Sequence, residues 1–476
     1  MAFLTEAANR GSISTGPYQI ENSLKVERTN TEYLHRTVSS AGNAKVWCAS
    51  MWIKRSELDG SQQFWQFLSS MTSDGGGGYS GWPTRIGFWY STDGLWVDSR
   101  HGTGNARLTS LVFQRDTSAW YHIVVMQDTT QSTDTNRTKI YINGTLLLPA
   151  DLDYDQYPTQ NADTAMHVLN SRVAVGAQAD GGYPWSGYIA DVHLLDGQTG
   201  KTPSDFAEYD EDSGIWIPKQ YTGAYGTNGF HLKFEDSSNM GLDSSGNGNN
   251  LTSNNITAAD QSTDTPTNNF CTWNPLWNYA SYPTISEGAT KVRIDDSTDD
   301  GAKASIGLTN GKWYWEAKPV GTIGSQYIGI QTDGDSNIYS NANSLLNNYT
   351  MVINTTGRYY SYSGSLSESS AGQFTNFTTS QWLGIALDMD SGTQTIKYYK
   401  DGSLILTLDL ISTMQGQTVF PFLVNYENRS WDINFGGYTI NTISSAASDA
   451  DGYGIFEYAP PSGYYALCTK NLEEYG

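Results

Sequence analysis

Positive charge is scarce. Lysine and arginine together number 27 against 49 aspartates and glutamates, leaving a formal charge of −22. Phosphate backbones and anionic lipid surfaces are gripped by clustered Lys and Arg, so this balance argues against nucleic acid or a membrane surface as partner. Cysteine is almost absent. Cys48, Cys271 and Cys468 are far apart, and no CxxC pair occurs, which argues against a zinc site and against a disulfide framework. No apolar run approaches the length of a membrane span, and the first residues lack the basic-then-apolar pattern of a secretion signal. The expectation is a protein made in a cytoplasm and not exported by the usual route. Helical periodicity is missing too: no window of ten or more residues in the two domains keeps a 3.6-residue apolar repeat.

What is present favours strands. Hydrophobic residues make up only 38% of the chain, yet aromatics reach 13%, with 31 Tyr and 15 Trp beside 48 Gly. Aromatic and glycine enrichment with little Ala or Lys suits twisted strands joined by tight turns. A chain of 476 residues has a prior of two or three domains. The fold class expected is all-β: two tandem β-sandwich (jelly-roll) domains joined by a polar irregular connector. The boundaries are an N-terminal arm over 1–20, a first domain over 21–225, a connector over 226–284 and a second domain with a C-terminal tail over 285–476.

Individual strands read clearly. In 45–54, Trp47, Ala49, Met51 and Ile53 alternate onto one face; Trp52 breaks the alternation and suggests a strand covered on both faces. Segments 64–68, 85–90, 95–98, 108–113, 120–126, 139–146, 172–176 and 187–195 continue the first domain, with Asn143-Gly144 as a hairpin signal. Strands of the second domain are expected at 311–318, 327–330, 349–354, 381–390, 395–404, 420–424 and 431–436, with Asp401-Gly402 as another hairpin. Between the domains lie about thirty residues rich in Asp, Ser, Asn, Thr and Gly. Such a run cannot offset its ordering entropy by apolar burial, so it reads as a surface connector pinned by Leu242, Leu251, Ile256, Phe270, Trp273 and Trp277.

Catalytic patterns are missing. No Glu-x-Asp-x-x-Glu strand places two carboxylates on one face for glycoside chemistry. Glu57 and Asp59 lie in a turn-like stretch, and Asp388 and Asp390 read as an acidic turn. The six histidines show no HExxH spacing, and His122 and His193 read as core or sheet-face residues. No GxSxG elbow or phosphate loop occurs. The chain is expected not to be an enzyme and to carry no cofactor. The oxygen-rich run Asp243 to Asn249 is a weak calcium candidate that lacks EF-hand spacing; a plain Asx/Gly turn is the competing reading.

Loop aromatics are the candidate binding residues, because exposed rings hold sugar rings or partner side chains. In the first domain these are Tyr79, Trp82, Tyr183 and Trp185, all in Gly-rich loops. In the second they are Tyr360, Tyr362, Tyr426 and Arg429. The competing reading is packing onto their own sheet.

The segments 47–54, 120–126, 141–144, 175–176 and 187–192 follow the order of a laminin-G-like, concanavalin-A-like jelly roll, which residues 20–200 resemble. That resemblance implies a carbohydrate- or protein-binding module, some of whose members hold calcium. GKWYWE, GIALDMD, YYKDG and NFG are similar, in order, to elements of a SPRY domain over 285–440, implying a sandwich that binds protein or peptide through loops at one end. GYIADVHLLDG, GAYGTNGFHLKFEDSSN, DSSGNGNNLT, DTPTNNFCTWNP and SGYYALCTKNL resemble the laminin-G-plus-SPRY structural proteins of tailed bacteriophages across nearly the whole chain. What this implies is a protein of the virion exterior, a capsid decoration or a head or tail fibre. Its partners would be coat or tail proteins and host-surface glycan, and it would form a symmetric homo-oligomer such as a trimer. The alternatives are a tail receptor-binding protein and, further off, a polysaccharide-degrading enzyme.

Overall fold

The computed structural model describes residues 18–58, 65–75, 78–79, 81, 83–89, 93–99, 106–211, 213–277, 283–294, 299–324, 326–333, 349–363, 365–426 and 429–476. The fold is nearly all-β, with 43% of residues in strands. Two compact units divide it, one ending at Thr267 and the other beginning at Asn268. Most of the expected arm lies outside the described residues.

The first unit is a concanavalin-A-like jelly roll of two eight-stranded sheets. In spatial order, the first sheet runs Thr145–Leu146, Thr138–Ile142, Tyr121–Asp128, Val46–Arg55, Gly187–Asp196, Ser23–Val26 and Gln261–Ser262. Phe230–Leu232 joins it on Gly187–Asp196. The second runs Leu152–Gln156, Arg107–Phe113, Gly94–Ser99, Pro83–Phe88, Trp65–Met71, Arg172–Val175, Tyr33–Thr37 and Thr252–Asn254. The core lies between them. Trp47, Ala49, Met51 and Ile53 from one sheet meet Leu34, Phe67, Ile86, Leu95 and Val173 from the other. All ten residues of Val46–Arg55 are buried. Its outward face is covered as well: Cys48 packs with Phe206 and Tyr221, and Trp52 stacks on His122 at 4.8 Å. Trp52 therefore sits on a doubly covered strand, as its place in the alternation suggests.

The segment read as a connector is divided by the structure. Residues 226–267 supply Phe230–Leu232, Thr252–Asn254 and Gln261–Ser262, each paired into the first unit. Hydrogen bonds, and not apolar burial, order this polar run. The Asp243 carboxylate accepts the N–H groups of His231, Ser245 and Asn249 at 2.7–2.9 Å. Asn247 Nδ2 donates to the Gly226 and Gly229 carbonyls, and Arg36 donates to Asn249 Oδ1 at 2.7 Å. Of the expected pins, Leu251, Phe270, Trp273 and Trp277 are buried, whereas Leu242 is exposed.

The second unit carries an eight-stranded and a six-stranded sheet. The larger runs Thr284–Ser286, Lys291–Ile294, Arg429–Asn434, Lys312–Gly321, Leu383–Asp388, Thr395–Lys400 and Ser403–Asp409, with Tyr465–Ala466 parallel to Lys312–Gly321. The smaller runs Asp299–Lys303, Val419–Tyr426, Gln326–Thr332, Thr350–Asn354, Tyr359–Tyr362 and Leu366–Glu368. Trp313 and Trp315 point into the core between the sheets, and Tyr314 points outward under Phe456 and Tyr464. A short helix, Thr469–Tyr475, lies near the end of the chain. Both predicted hairpins form. Asn143 (φ 48°) with Gly144 (φ 79°), and Asp401 (φ 47°) with Gly402 (φ 77°), occupy the left-handed region that the two central residues of a tight turn require. No helix among the described residues is long and apolar enough to cross a membrane.

Candidate functional site

A phase change in one strand creates the most distinctive polar cluster of the first unit. Gly187–Asp196 pairs with Val46–Arg55 through Ala190↔Trp52 and then His193↔Ser50, so Asp191 and Val192 together oppose Met51. This is a β-bulge. Asp191 takes the left-handed conformation (φ 49°), which Asp tolerates better than most residues. Before the bulge Ile189 faces the core; after it Val192 and Leu194 do. Asp191 and His193 are thereby turned to the outer face of the sheet. His231 arrives there as the direct cross-strand neighbour of His193.

The three side chains interlock. Asp191 Oδ1 lies 2.7 Å from His231 Nε2, and Oδ2 lies 3.1 Å from His193 Nε2. The Tyr18 hydroxyl donates to Oδ1 at 2.9 Å. The imidazoles stack with centroids 4.0 Å apart, and His193 Nδ1 lies 2.8 Å from the Tyr225 hydroxyl. Two Nε2–H groups facing one carboxylate leave His193 Nδ1 free to accept the Tyr225 proton. Burial works to raise the Asp191 carboxyl, but the charges and hydrogen bonds of His193 and His231 outweigh it and hold the group below the usual carboxylate range. Burial, then the neighbouring His231, brings His193 down to about 4. Burial and the Asp191 charge push the Tyr18 and Tyr225 hydroxyls above their ordinary value.

These residues place three potential metal-ligand atoms within 4.8 Å of one another. Coordination geometry does not follow. Near-parallel rings, 20° apart, cannot both aim an Nε2 lone pair at one ion, and each Nε2 already faces its own carboxylate oxygen. The arrangement is a buried hydrogen-bonded cluster, of which His231 reaches the surface of a cavity. That cavity, of about 820 Å³, is lined by Tyr18, Tyr221, Tyr225 and His231 together with Lys233, Glu235, Ser244 and Asn247. Rings on the walls with hydroxyl, amide, ammonium and carboxylate groups at the rim suit a small polar ligand with apolar ring faces.

A second histidine pair resembles a catalytic dyad. Ser50 Oγ lies 2.8 Å from His122 Nε2. Trp216 Nε1 donates to His122 Nδ1 at 3.0 Å, which fixes the neutral ring with its proton on Nε2. That tautomer donates to Ser50 and cannot take its proton. Burial lowers His122 to about 3. Elsewhere, Asp388 accepts from Ser391 and Lys312, and Asp390 accepts the Gly311 N–H, so both acids hold a turn. Glu57 pairs with Arg28 at 2.7 Å, while Asp59 lies outside the described residues.

The residues singled out from the sequence are scattered. Trp185 is wholly buried in the core against Phe67, so its ring is not a binding surface. Tyr79 packs beside the Tyr33 cluster, stacks on Arg172 at 4.0 Å and hydrogen-bonds Thr37. Tyr183 is exposed, with φ 48°. Trp82 lies outside the described residues. In the second unit, Tyr360 packs edge-on to Tyr327 and donates to Glu368 at 3.1 Å, and Tyr362 joins the same apolar cluster. Arg429 Nε donates to the Thr322 carbonyl. Tyr426 ends the strand Val419–Tyr426; its side chain lies outside the described residues. The cavity residues were missed although TGAYGTNG is itself a Gly-rich aromatic loop. The expected boundary at 225/226 splits that loop between the end of a domain and a linker.

Comparison with known proteins bears on the fold. Residues 29–200 match the laminin G model of the concanavalin A-like lectin/glucanases superfamily. The cavity walls at Tyr18 and at 220–247 fall outside that match. Among solved structures, the chain is similar to the SPRY domain of human HERC1 at 13% identity and a TM-score of 0.27, covering 36% of this chain and 99% of that one. It is similar to the TRIM65 PSpry domain at 13% identity and 0.27, covering 34% and 88%. It is also similar to the native heptameric SAP-like pentraxin from Limulus polyphemus at 14% identity and 0.27, covering 37% and 77%. No curated protein matches the sequence.

Proposed function

We propose that the chain is a non-enzymatic surface protein of a phage virion, a capsid decoration or a head or tail fibre, whose first unit holds host-surface saccharide in the Tyr18–Tyr221–Tyr225 cavity. One observation carries the saccharide assignment. A cavity of about 820 Å³ on a lectin-like sandwich combines three tyrosines with a rim of Lys233, Glu235, Ser244 and Asn247, a size and lining suited to one or a few sugar units. Stacking would hold the apolar ring faces, and the rim would hydrogen-bond the hydroxyls. The virion assignment rests on the resemblance of the sequence motifs, in order, to those of phage structural proteins. Coat or tail proteins are the virion partners in this reading, and a symmetric homo-oligomer provides avidity for weak single sites.

Two experiments test it. Saturation-transfer NMR of the protein with host-derived oligosaccharides should show transfer to sugar protons, and the combined Lys233→Met and Glu235→Gln variant should lose it while keeping its melting temperature. Transfer unchanged in that variant would move the site elsewhere. Immunogold labelling of intact virions should decorate the particle exterior; label confined to host cell debris would remove the virion assignment. Gold at the tail tip would favour a receptor-binding protein over a head decoration.

A further inference from the structure

Lys25 lies on Ser23–Val26, whose neighbouring residues Leu24 and Val26 face the core. Its side chain faces the other way yet is only 1% exposed. Nζ sits 2.9 Å from Asp260 Oδ1 and 3.1 Å from Glu32 Oε2, and those carboxylates are also buried. One amine thus lies between two acids, shielded from water. We propose that Lys25 and Asp260 become joined by an intramolecular isopeptide bond, with Glu32 carrying the proton.

The surroundings supply each element of an acyl transfer. Asp260 closes the turn Ala258–Asp260, and its Oδ2 accepts the Thr257 N–H at 2.8 Å and the Thr257 hydroxyl at 3.1 Å. Those two donors face the oxygen on which negative charge grows when Nζ adds to Cγ, the role of an oxyanion hole. Oδ1, on the amine side, is the leaving oxygen. Glu32 is fixed by the Glu27 N–H on Oε2 at 2.8 Å and by Asn30 Nδ2 on Oε1 at 2.9 Å. Burial raises its carboxyl, which favours its acting as both proton acceptor and donor. In the step, Glu32 takes a proton from the ammonium and Nζ attacks Cγ. The Nζ–Cγ bond forms, the Cγ–Oδ1 bond breaks, and Oδ1 leaves as water with the proton returned by Glu32 and a second proton from the amine. One ammonium and one carboxylate become one neutral amide and one water, with no oxidant or cofactor. Burial on the outer face of the sheet holds the amine against the carboxylate and supplies the high effective concentration such a condensation requires.

The placement gives the bond a consequence. Gln261–Ser262, next to Asp260, pairs with Ser23 and Leu24, next to Lys25. A covalent link here ties the first strand of the unit to its last and closes nearly all of it into one loop, which constrains the unfolded chain strongly. A surface protein under mechanical load gains resistance to unfolding from either end.

Mass spectrometry of the full-length protein decides the matter. The intact mass should fall about 18 Da, one water, below that of the sequence. A protease digest should yield a branched peptide joining Lys25 to Asp260. Lys25→Arg and Glu32→Gln should each restore the full sequence mass in a protein whose circular dichroism is unchanged. A folded wild-type chain at full mass overturns the proposal whatever the variants do. A branch at the other buried pair, Lys54 with Asp264, overturns it as well. A cross-link that persists in Glu32→Gln overturns the role of Glu32.

Discussion

Lys54 Nζ and Asp264 Oδ2 lie 2.6 Å apart, and each side chain is 1% exposed. Trp120 Nε1 donates to the other carboxylate oxygen at 3.0 Å. The pair clamps residue 264, at the end of the polar run, onto the central strand Val46–Arg55. Removing one partner would leave a buried charge unpaired, which costs about 3–5 kcal/mol. Asp264→Ala should therefore lower the melting temperature of the first unit sharply. The same contact makes a prediction about boundaries. A fragment ending at residue 267 should melt cooperatively. One ending at residue 225 lacks Phe230–Leu232, Thr252–Asn254 and Gln261–Ser262, and should show no cooperative thermal transition by circular dichroism.

Trp185 and Tyr183 separate packing from exposure within two residues of one loop. The Trp185 ring is enclosed between the sheets, so Trp185→Ala should destabilise the first unit by about 3–5 kcal/mol in urea titration. Tyr183→Ala removes an exposed ring and should shift stability by less than about 0.5 kcal/mol. Equal effects in the two variants would mean that the loop is packed differently.

Much of this fold is legible in the sequence because its strands carry local signals. Alternation in 47–53 gives the core face, and Asn143-Gly144 and Asp401-Gly402 give turns whose backbone demands those residues. What the sequence conceals depends on distant parts of the chain. The polar run at 235–262 looks unable to fold because its stabilisation comes from hydrogen bonds such as Asp243 to the His231, Ser245 and Asn249 amides, and not from apolar area. Trp185 looks like a loop ring because a Gly-rich neighbourhood does not reveal which way its side chain turns. The Asp191–His193–His231 cluster is hidden twice. A bulge sets the face on which Asp191 points, and His231 reaches it only through the strand Phe230–Leu232, which lies beyond the end of the family match at residue 200 and beyond any local periodicity.

The buried histidines predict an acid-sensitive first unit. Burial lowers His193 to about 4 and His122 to about 3, against an ordinary value of 6.5. The unfolded chain therefore binds protons at these sites before the folded one does. Stability from this source is complete above about pH 6.5 and is lost as pH falls toward 4 for His193 and toward 3 for His122, by up to roughly 1.4 kcal/mol per pH unit for each group. Asp191, whose folded carboxyl is held low, adds its own loss only below the ordinary carboxylate range. Urea midpoints of the 18–267 fragment at pH 7.5, 6 and 5 should fall steeply between the last two. His122→Phe keeps a ring over Trp52 and should flatten the slope; an unchanged slope would assign the acid sensitivity elsewhere.

Glu316 makes the strongest test of how the tail of the chain is held. It lies on the central strand Lys312–Gly321 of the second unit and is fully buried. Four donors converge on its carboxylate: the N–H groups of Glu457 and Tyr458 at 2.8 Å, and the Tyr314 hydroxyl and Asn434 amide at 3.2 Å. Two of these fix the backbone of a segment that otherwise lacks regular structure, and Phe456 and Tyr464 then cover Tyr314 on the outer face. Glutamine is nearly isosteric but carries an NH2 where two donors already point, so Glu316→Gln should not rescue the contact. Both Glu316→Gln and Glu316→Ala should cost about 1–3 kcal/mol, the range for leaving a buried donor unsatisfied. Amide exchange should quicken at Glu457 and Tyr458 well before it does at Trp313 and Trp315. Exchange that quickens uniformly across the unit would mean that the tail and the sheets open together, with the carboxylate supporting the whole sandwich and not the cover alone.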